Sequence, residues 1–211
     1  MPGTGATDAG ASRQDRKAGI GGWYGTKTDS RWDVHWFMIP ITPTSHPWVD
    51  AKDDDPQRFI SSLELLADVY MVEYLSERHA GQAGQFYAPL TTDNYGNTFI
   101  IKKHWTPTFP NCCLVMELTD RLINSDMYLR IEHRDREDNE WADQLAGQDD
   151  TGFDPDKRWT PTAPMKIFDT TYKMAMDMGM HRRKDEKQKE YLQKQRDQQR
   201  DGRQPKKARR N

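Results

Sequence analysis

Cysteine is almost absent from this chain, and the two that occur, Cys112 and Cys113, are adjacent. Neighbouring cysteines cannot join distant parts of a fold, so the sequence excludes a disulfide-stapled scaffold and favours a reducing, intracellular compartment. No apolar run approaches the roughly 18 residues of a membrane-spanning helix, and we expect neither a signal peptide nor a membrane partner. The mean hydropathy of −1.02 is low for a globular protein and predicts that part of the chain is disordered.

Charge is divided unevenly along the 211 residues. Residues 181–211 contain 13 Lys/Arg and 5 Asp/Glu, a balance of +8, while the net charge of the whole chain is −2. An acidic body suggests metal or carboxylate chemistry, and a basic tail suggests contact with a polyanion or an import receptor. The final PKKARR resembles a basic nuclear-import motif and so favours a nuclear location over a cytoplasmic one. A tail that contacts any polyanion would account for the same basic residues equally well.

Hydrophobic periodicity predicts a domain that contains both strands and helices. Aromatic and aliphatic residues alternate in 31–41, which indicates a strand. Apolar residues three and four apart in 61–78 indicate a helix, for which Ser61 or Ser62 offers a cap. Two further elements follow, a short strand over 85–90 and an amphipathic helix over 111–124.

The most informative stretch is 131–147, where the period of the sequence changes. A strand ends near His133, and the recurrence of apolar residues at three and four then predicts a helix that contains Leu145. This strand, loop and helix carry an imidazole, an amide and a carboxylate, on His133, Asn139 and Asp143. A helix that places Leu145 on a core directs Asp143 away from it, towards the loop.

The spacing of His133, Asn139 and Asp143, with Leu-Ala following, resembles the last motif of type 1 ribonuclease H domains, above all those of retroelement reverse transcriptases. Three further acids occur in that family's order and contexts. Asp8 in TDAGAS, before the glycine-rich GIGGWYG, matches the first acid, Glu64 in SLELLA the second, and Asp93 in TTDN the third. The resemblance covers about residues 5–150, with two insertions.

The resemblance implies an α/β fold, a ribonuclease H-like mixed five-stranded sheet with helices on both faces. We accordingly predict a ribonuclease H-like domain over 1–150, a Pro-rich linker over 151–165 and a basic, partly helical or disordered tail over 166–211. The implied partners are an RNA–DNA hybrid and an upstream polymerase domain.

The implied activity is endonucleolytic hydrolysis of the RNA strand of RNA–DNA hybrids with two Mg²⁺ ions, for which Mn²⁺ can substitute. Asp93 and Glu64 would hold one ion, Asp8 would bridge, and Asp143 would hold the second. His133 would move protons near the leaving group.

The resemblance also implies that Asn94 and Asn139 contact the nucleic acid. One departure from the family concerns residues 2–7, before Asp8, none of which is a large apolar residue, so that a central strand there has little to bury. The sequence therefore leaves three hypotheses open: an active ribonuclease H, an inactive remnant with a structural or binding role, and an unrelated nucleic-acid-binding protein that acts through its tail.

Overall fold

The computed structural model describes residues 3–26, 29–42, 44–49, 55–81, 85–161 and 193–194. The helix and basic tail predicted for 166–211 lie outside these residues, apart from Gln193 and Lys194. Among the helices described, none has the length and apolar character needed to cross a membrane.

A mixed sheet of five strands forms the centre of the described chain, in the order β3-β2-β1-β4-β5. The first three strands are antiparallel neighbours, and β4 and β5 run parallel to β1. The bounds of the strands and α-helices are β1 Thr4–Ser12, β2 Lys17–Gly25, β3 His35–Ile41, α1 Ile60–Arg78, β4 Phe86–Thr92, α2 Tyr95–Lys103, α3 Asn111–Asn124, β5 Met127–His133 and α4 Glu140–Ala146.

Helices cover both faces of this sheet, as predicted. One core joins Ile20 and Leu90 of the sheet to the apolar residues of α1 and α3. A second core joins Ala6 and Trp23 to the residues of α4, among them Leu145. Successive side chains of a strand point to opposite faces of the sheet, so helices on both faces bury the side chains on each side. The architecture confirms the predicted α/β class.

The central strand β1 is well packed even though its residues are small. Ala6, Thr7 and Asp8 are all buried. The neighbouring strand β2 lies directly against helix α4. A Cβ atom added to Gly21 of β2 would come within 2.4 Å of the backbone nitrogen of Ala146. Small residues permit this close approach, so β1 is buried as the central strand although each of its side chains buries little area.

Two predicted boundaries shift for local reasons. The strand predicted over 31–41 begins only at His35, after a turn in which Trp32 is exposed. Helix α1 takes no side-chain cap from Ser61 or Ser62, because a 3₁₀ helix over Pro56–Phe59 leads directly into it.

Residues 151–161, which we name the C-terminal strap, pack on the domain although their composition predicts a linker. Phe153 is buried beside Trp36, whose indole Nε1 donates a 2.8 Å hydrogen bond to the carbonyl of Asp154. The backbone N–H of Trp159 donates to the carbonyl of Trp36 at 2.8 Å, and its indole donates to Glu77 at 2.7 Å. The folded unit therefore extends beyond residue 150.

Candidate active site

The candidate site lies where the two central parallel strands stop pairing. The ladder between β1 and β4 contains two pairs, Gly5 with Leu90 and Ala6 with Thr91. Asp8 and Asp93 each come two residues after the second pair. The carboxyl ends of parallel strands are the usual position of a ligand crevice in such sheets, so both acids stand at its mouth.

Three carboxylates converge at this crevice. Asp8, Glu64 and Asp93 each offer one oxygen, and these oxygens lie within 4.8 Å of one another. Strand β1 supplies Asp8, the first half of α1 supplies Glu64, and the turn after β4 supplies Asp93. The three acids that sequence spacing placed in order are thus neighbours in space.

Asn139 holds Asp8 in place. Its Nδ2 donates to Oδ2 of Asp8 and to the carbonyl oxygen of Thr7, at 3.2 Å in each case. The other oxygen of Asp8 accepts a 2.7 Å hydrogen bond from the backbone N–H of Ala9. Asn139 is only 1% exposed, so the structure gives it contact with Asp8, whereas the resemblance implied contact with nucleic acid.

Asn94 has the corresponding position beside Glu64. Its Nδ2 donates to Oε2 of Glu64, and its Oδ1 accepts a 3.0 Å hydrogen bond from the backbone N–H of Asn97. The second bond caps the N-terminus of α2. The same amide therefore starts the helix and orients the acid, and its predicted contact with the nucleic acid stays a prediction.

The electrostatics of the cluster favour a bound cation. Burial, then the charge of Asp93, and lesser contributions from Glu64 and Asp143 raise the pKa of Asp8 to about 7. Burial, together with Asp93, raises the pKa of Glu64 to about 7 despite the hydrogen bond from Asn94. Like charges in a low dielectric disfavour ionisation, and a cation among them reverses that effect.

An unpartnered oxygen fits the same interpretation. Oδ1 of Asp93 is buried and has no hydrogen-bond partner within the part of the chain that the structure describes. Buried polar atoms are normally paired, so such an atom indicates a missing ligand or water. Clustered hard oxygens are the donors that Mg²⁺ prefers, and the residues present fit that ion.

The two remaining predicted residues stand at the rim of the crevice. Asp143, in the first turn of α4, has a side chain that is 53% exposed and lies 3.5 Å from the guanidinium of Arg136. His133 ends β5, and its Nε2 donates a 3.2 Å hydrogen bond to the backbone carbonyl of Asp93. The ring of Tyr95 meets the imidazole edge to face, with centroids 5.5 Å apart.

Sequence reasoning missed Asp68, a second acid beneath the cluster. It lies one turn after Glu64 on α1, is fully buried, and accepts a 2.7 Å hydrogen bond from the hydroxyl of Thr7. Burial, with Glu64 and Asp8 adding to it, raises the pKa of Asp68 to about 7. The available signal was the spacing of four residues, which places both acids on one helical face.

Comparison with known proteins gives matches among solved structures alone. No protein-family model matches the chain, and no curated protein matches it either. LC11-RNase H1 in complex with an RNA/DNA hybrid is 14% identical, with a TM-score of 0.51, over 70% of this chain and 95% of that chain.

Two further structures are similar at lower TM-scores. RNase H1 of the halophilic archaeon Halobacterium salinarum NRC-1 is 16% identical, with a TM-score of 0.48, over 70% of this chain and 96% of that one. The prototype foamy virus protease–reverse transcriptase is 16% identical, with a TM-score of 0.44, and the match covers 71% of this chain and 21% of that chain. The strand order and the likeness to LC11-RNase H1 show that this chain contains a domain with the ribonuclease H fold.

Proposed function

We propose that this chain is a metal-dependent endonuclease that hydrolyses the RNA strand of RNA–DNA hybrids. The observation that carries the proposal is the convergence of Asp8, Glu64 and Asp93 at the mouth of the crevice. The fold is compatible with that activity, and LC11-RNase H1, which shares it, has an RNA/DNA hybrid bound. Fold alone does not determine function, so the proposal depends on the chemistry of the site.

Divalent cations, when bound, supply an activated water and stabilise the charge that develops on the leaving oxygen. We propose that Glu64 and Asp93 hold one Mg²⁺ ion, that Asp8 bridges, and that Asp143 holds a second. Mg²⁺ retains several waters when it binds protein, so a few carboxylates suffice and coordination positions remain for phosphate oxygens.

Hydrogen bonds orient the carboxylates of Asp8 and Glu64 in the metal-free protein. Asn139 fixes the rotamer of Asp8, and Asn94 fixes that of Glu64, so little ordering is left for the moment of binding. Because the pKa values of both acids are about 7, a bound cation would displace protons from them. His133 lies beside Asp93 at the exposed rim, where an imidazole can move a proton near the leaving oxygen.

A surface suited to nucleic acid adjoins the site. Tyr95 and Phe99 are exposed on α2, and the first of them touches His133. Lys102 and Lys103 follow in the last turn of the same helix. Exposed aromatic rings can stack on bases or sugars, and ammonium groups attract phosphates, so we propose that the hybrid extends from the crevice along α2. Ribose 2′-hydroxyls would distinguish the RNA strand.

The motif of His133, Asn139 and Asp143 also supports a cellular context. We propose that the domain is the ribonuclease H part of a retroelement reverse transcriptase, with a polymerase domain as its partner. The basic residues of 181–211 would add non-specific affinity for nucleic acid and favour the nucleus.

The test is cleavage of a hybrid labelled on its RNA strand by the purified full chain. We expect cleavage with Mg²⁺ or Mn²⁺, none with EDTA, and none of duplex DNA. Asp93→Asn keeps the shape of the site but removes a ligand charge, so activity should fall by orders of magnitude. Asp120→Asn, at an exposed acid on α3, is the matched control and should retain activity.

Two results would contradict the proposal. Cleavage that survives both EDTA and Asp93→Asn would come from a contaminant and would refute the mechanism. A folded wild-type chain that cleaves no hybrid would favour the inactive alternative, in which the fold serves a structural or binding role.

A further inference from the structure

A guanidinium group faces two acids of the candidate site. Arg136 lies in a 3₁₀ turn between β5 and α4, and its Nη2 is 3.5 Å from Oδ1 of Asp143. It is also near enough to Glu64 to lower the pKa of that carboxyl, against the larger effect of burial. The positive charge therefore lies at the crevice between an acid of α1 and an acid of α4.

The position of Arg136 matters because Asp143 is separate from the three converged acids. Asp143 raises the pKa of Asp8, so its charge acts on the cluster, yet the group of oxygens within 4.8 Å comprises Asp8, Glu64 and Asp93. A guanidinium and a metal ion on the same carboxylate repel each other, even where they use different lone pairs of Asp143. An ion pair at this point thus competes with any cation that Asp143 would ligate.

The pair is weak enough to break. The side chain of Arg136 is 79% exposed, that of Asp143 is 53% exposed, and a separation of 3.5 Å is long for a charge-assisted hydrogen bond. Exposed ion pairs contribute little to stability because water solvates both partners. Arg136 can therefore leave Asp143 without disturbing the fold.

We propose that Arg136 is a displaceable counter-ion, which neutralises Asp143 in the metal-free protein and transfers to a phosphate of the hybrid when a cation takes its place. The inference rests on the proposed function and adds to it a residue that contacts the phosphates of the hybrid. A guanidinium binds carboxylate and phosphate oxygens with the same planar fork, so one side chain can serve both states. Cation binding and hybrid binding would then assist each other, because each favours the released arginine.

Arg134 provides a matched control on the same loop. Its backbone N–H donates to the carbonyl of Thr92 at 2.9 Å, and its guanidinium donates to the carbonyl of Asp138 at 3.2 Å. Substitution of Arg134 removes the same charge from the same segment, but it leaves the pair of Arg136 and Asp143 intact.

The first experiment is a calorimetric titration of the full chain with Mg²⁺ in the absence of nucleic acid. Arg136→Gln should bind Mg²⁺ about two- to fivefold more tightly than wild type, the effect of removing one exposed ion pair. Arg136→Lys should stay close to wild type because it keeps the charge, and Arg134→Gln should be unchanged. In an Asp143→Asn background, Arg136→Gln should have no effect, since the competing ligand is already absent.

The second experiment measures hybrid binding in an Asp93→Asn background, where cleavage is blocked. Addition of Arg136→Gln should weaken binding and reduce the slope of log affinity against log salt by about one, the loss of one phosphate contact. Unchanged Mg²⁺ affinity in Arg136→Gln, or an equal change with and without Asp143, would overturn this inference and leave the proposed function standing. Absence of Mg²⁺ binding in both the wild type and Arg136→Gln would overturn both.

Discussion

The hydroxyl of Thr7 donates a 2.7 Å hydrogen bond to the carboxyl group of Asp68. The residue before Asp8 is therefore tied to the residue one turn after Glu64. This buried bond joins α1 to β1 directly beside two acids of the site. It also places an ionisable group in the core, with consequences for how stability depends on pH.

Asp68→Asn should flatten the pH dependence of stability. Burial raises the pKa of Asp68 from 3.8 to about 7, so the folded state binds a proton that the unfolded state releases. The stabilisation from that proton is present below about pH 4 and is lost as the pH rises through about 7. Urea unfolding in EDTA at about pH 5 and pH 8 measures the loss.

Wild type should lose at least about 1 kcal/mol more than Asp68→Asn between these two pH values. Asp120→Asn, at an exposed site, should follow the wild type. Equal losses in wild type and Asp68→Asn would show that Asp68 does not titrate in this range.

Mg²⁺ should stabilise the folded chain more at pH 8 than at pH 6. The pKa values of Asp8 and Glu64 are both about 7, so at the lower pH a cation must displace protons in order to bind. Thermal unfolding with and without saturating Mg²⁺ measures the effect. Asp93→Asn should reduce the stabilisation at both pH values, and a stabilisation that is independent of pH would contradict the assignment of these ligands.

Asn139→Ala should reduce both activity and stability. The substitution leaves the carbonyl of Thr7 and one oxygen of Asp8 without a buried partner, which should cost roughly 1–3 kcal/mol of unfolding free energy. Hybrid cleavage should fall because Asp8 is no longer oriented. Asn124→Ala removes an exposed amide on α3 and serves as the control in both measurements. Full activity in Asn139→Ala would exclude a positioning role.

Gly21→Ala should destabilise the domain strongly. The added Cβ would lie 2.4–2.5 Å from backbone and Cβ atoms of Leu145 and Ala146, so α4 would have to move away from the sheet. We expect a loss of more than about 3 kcal/mol, at the upper end of overpacking effects. Gly10→Ala, where the nearest atom is 3.1 Å away, should cost about 1 kcal/mol. Similar losses in the two variants, measured by urea unfolding, would contradict this close contact.

Phe153→Ala should show that the C-terminal strap belongs to the folded unit. Its ring is buried between Trp36 and Trp141, so truncation should cost roughly 3–5 kcal/mol. Phe99→Ala removes the same ring from a more exposed position on α2 and should cost much less. A strap that acts as a linker would give small and equal losses in the two unfolding experiments.

The sequence predicted those parts of the fold in which local pattern and tertiary packing agree. Helix α1, strand β5 and helix α4 are rich in apolar residues whose spacing predicts these elements, and the structure places each within a few residues of its predicted position. The convergence of Asp8, Glu64 and Asp93 followed from their order in a resembling family. These acids could be identified from the sequence because the residues next to each of them match the motifs of that family.

Other features could not be predicted because they depend on contacts between distant segments. The sequence around Gly21 does not indicate that α4 packs against it. The close contact depends on the absence of a side chain at Gly21, and the residues that it contacts lie far away in sequence. The Pro-rich composition of the C-terminal strap resembles a linker, whereas the pairing of Trp159 with Trp36 keeps it in place. Asp68 lies in the part of α1, residues 65–72, that is buried on every face, whereas an acid is normally expected on the surface.

The ladder between β1 and β4 contains two residue pairs, whereas β1 and β2 pair at nine positions. The opening in front of Asp8 and Asp93 is thus a property of the main chain, which replacement of the acids leaves in place. Under the proposed function, a variant with one isosteric substitution at these acids would lose cleavage but would keep the opening and the surface of α2 that contact the hybrid. Such a variant would bind the RNA strand without cleaving it. Binding and cleavage can therefore change independently in descendants that keep this backbone.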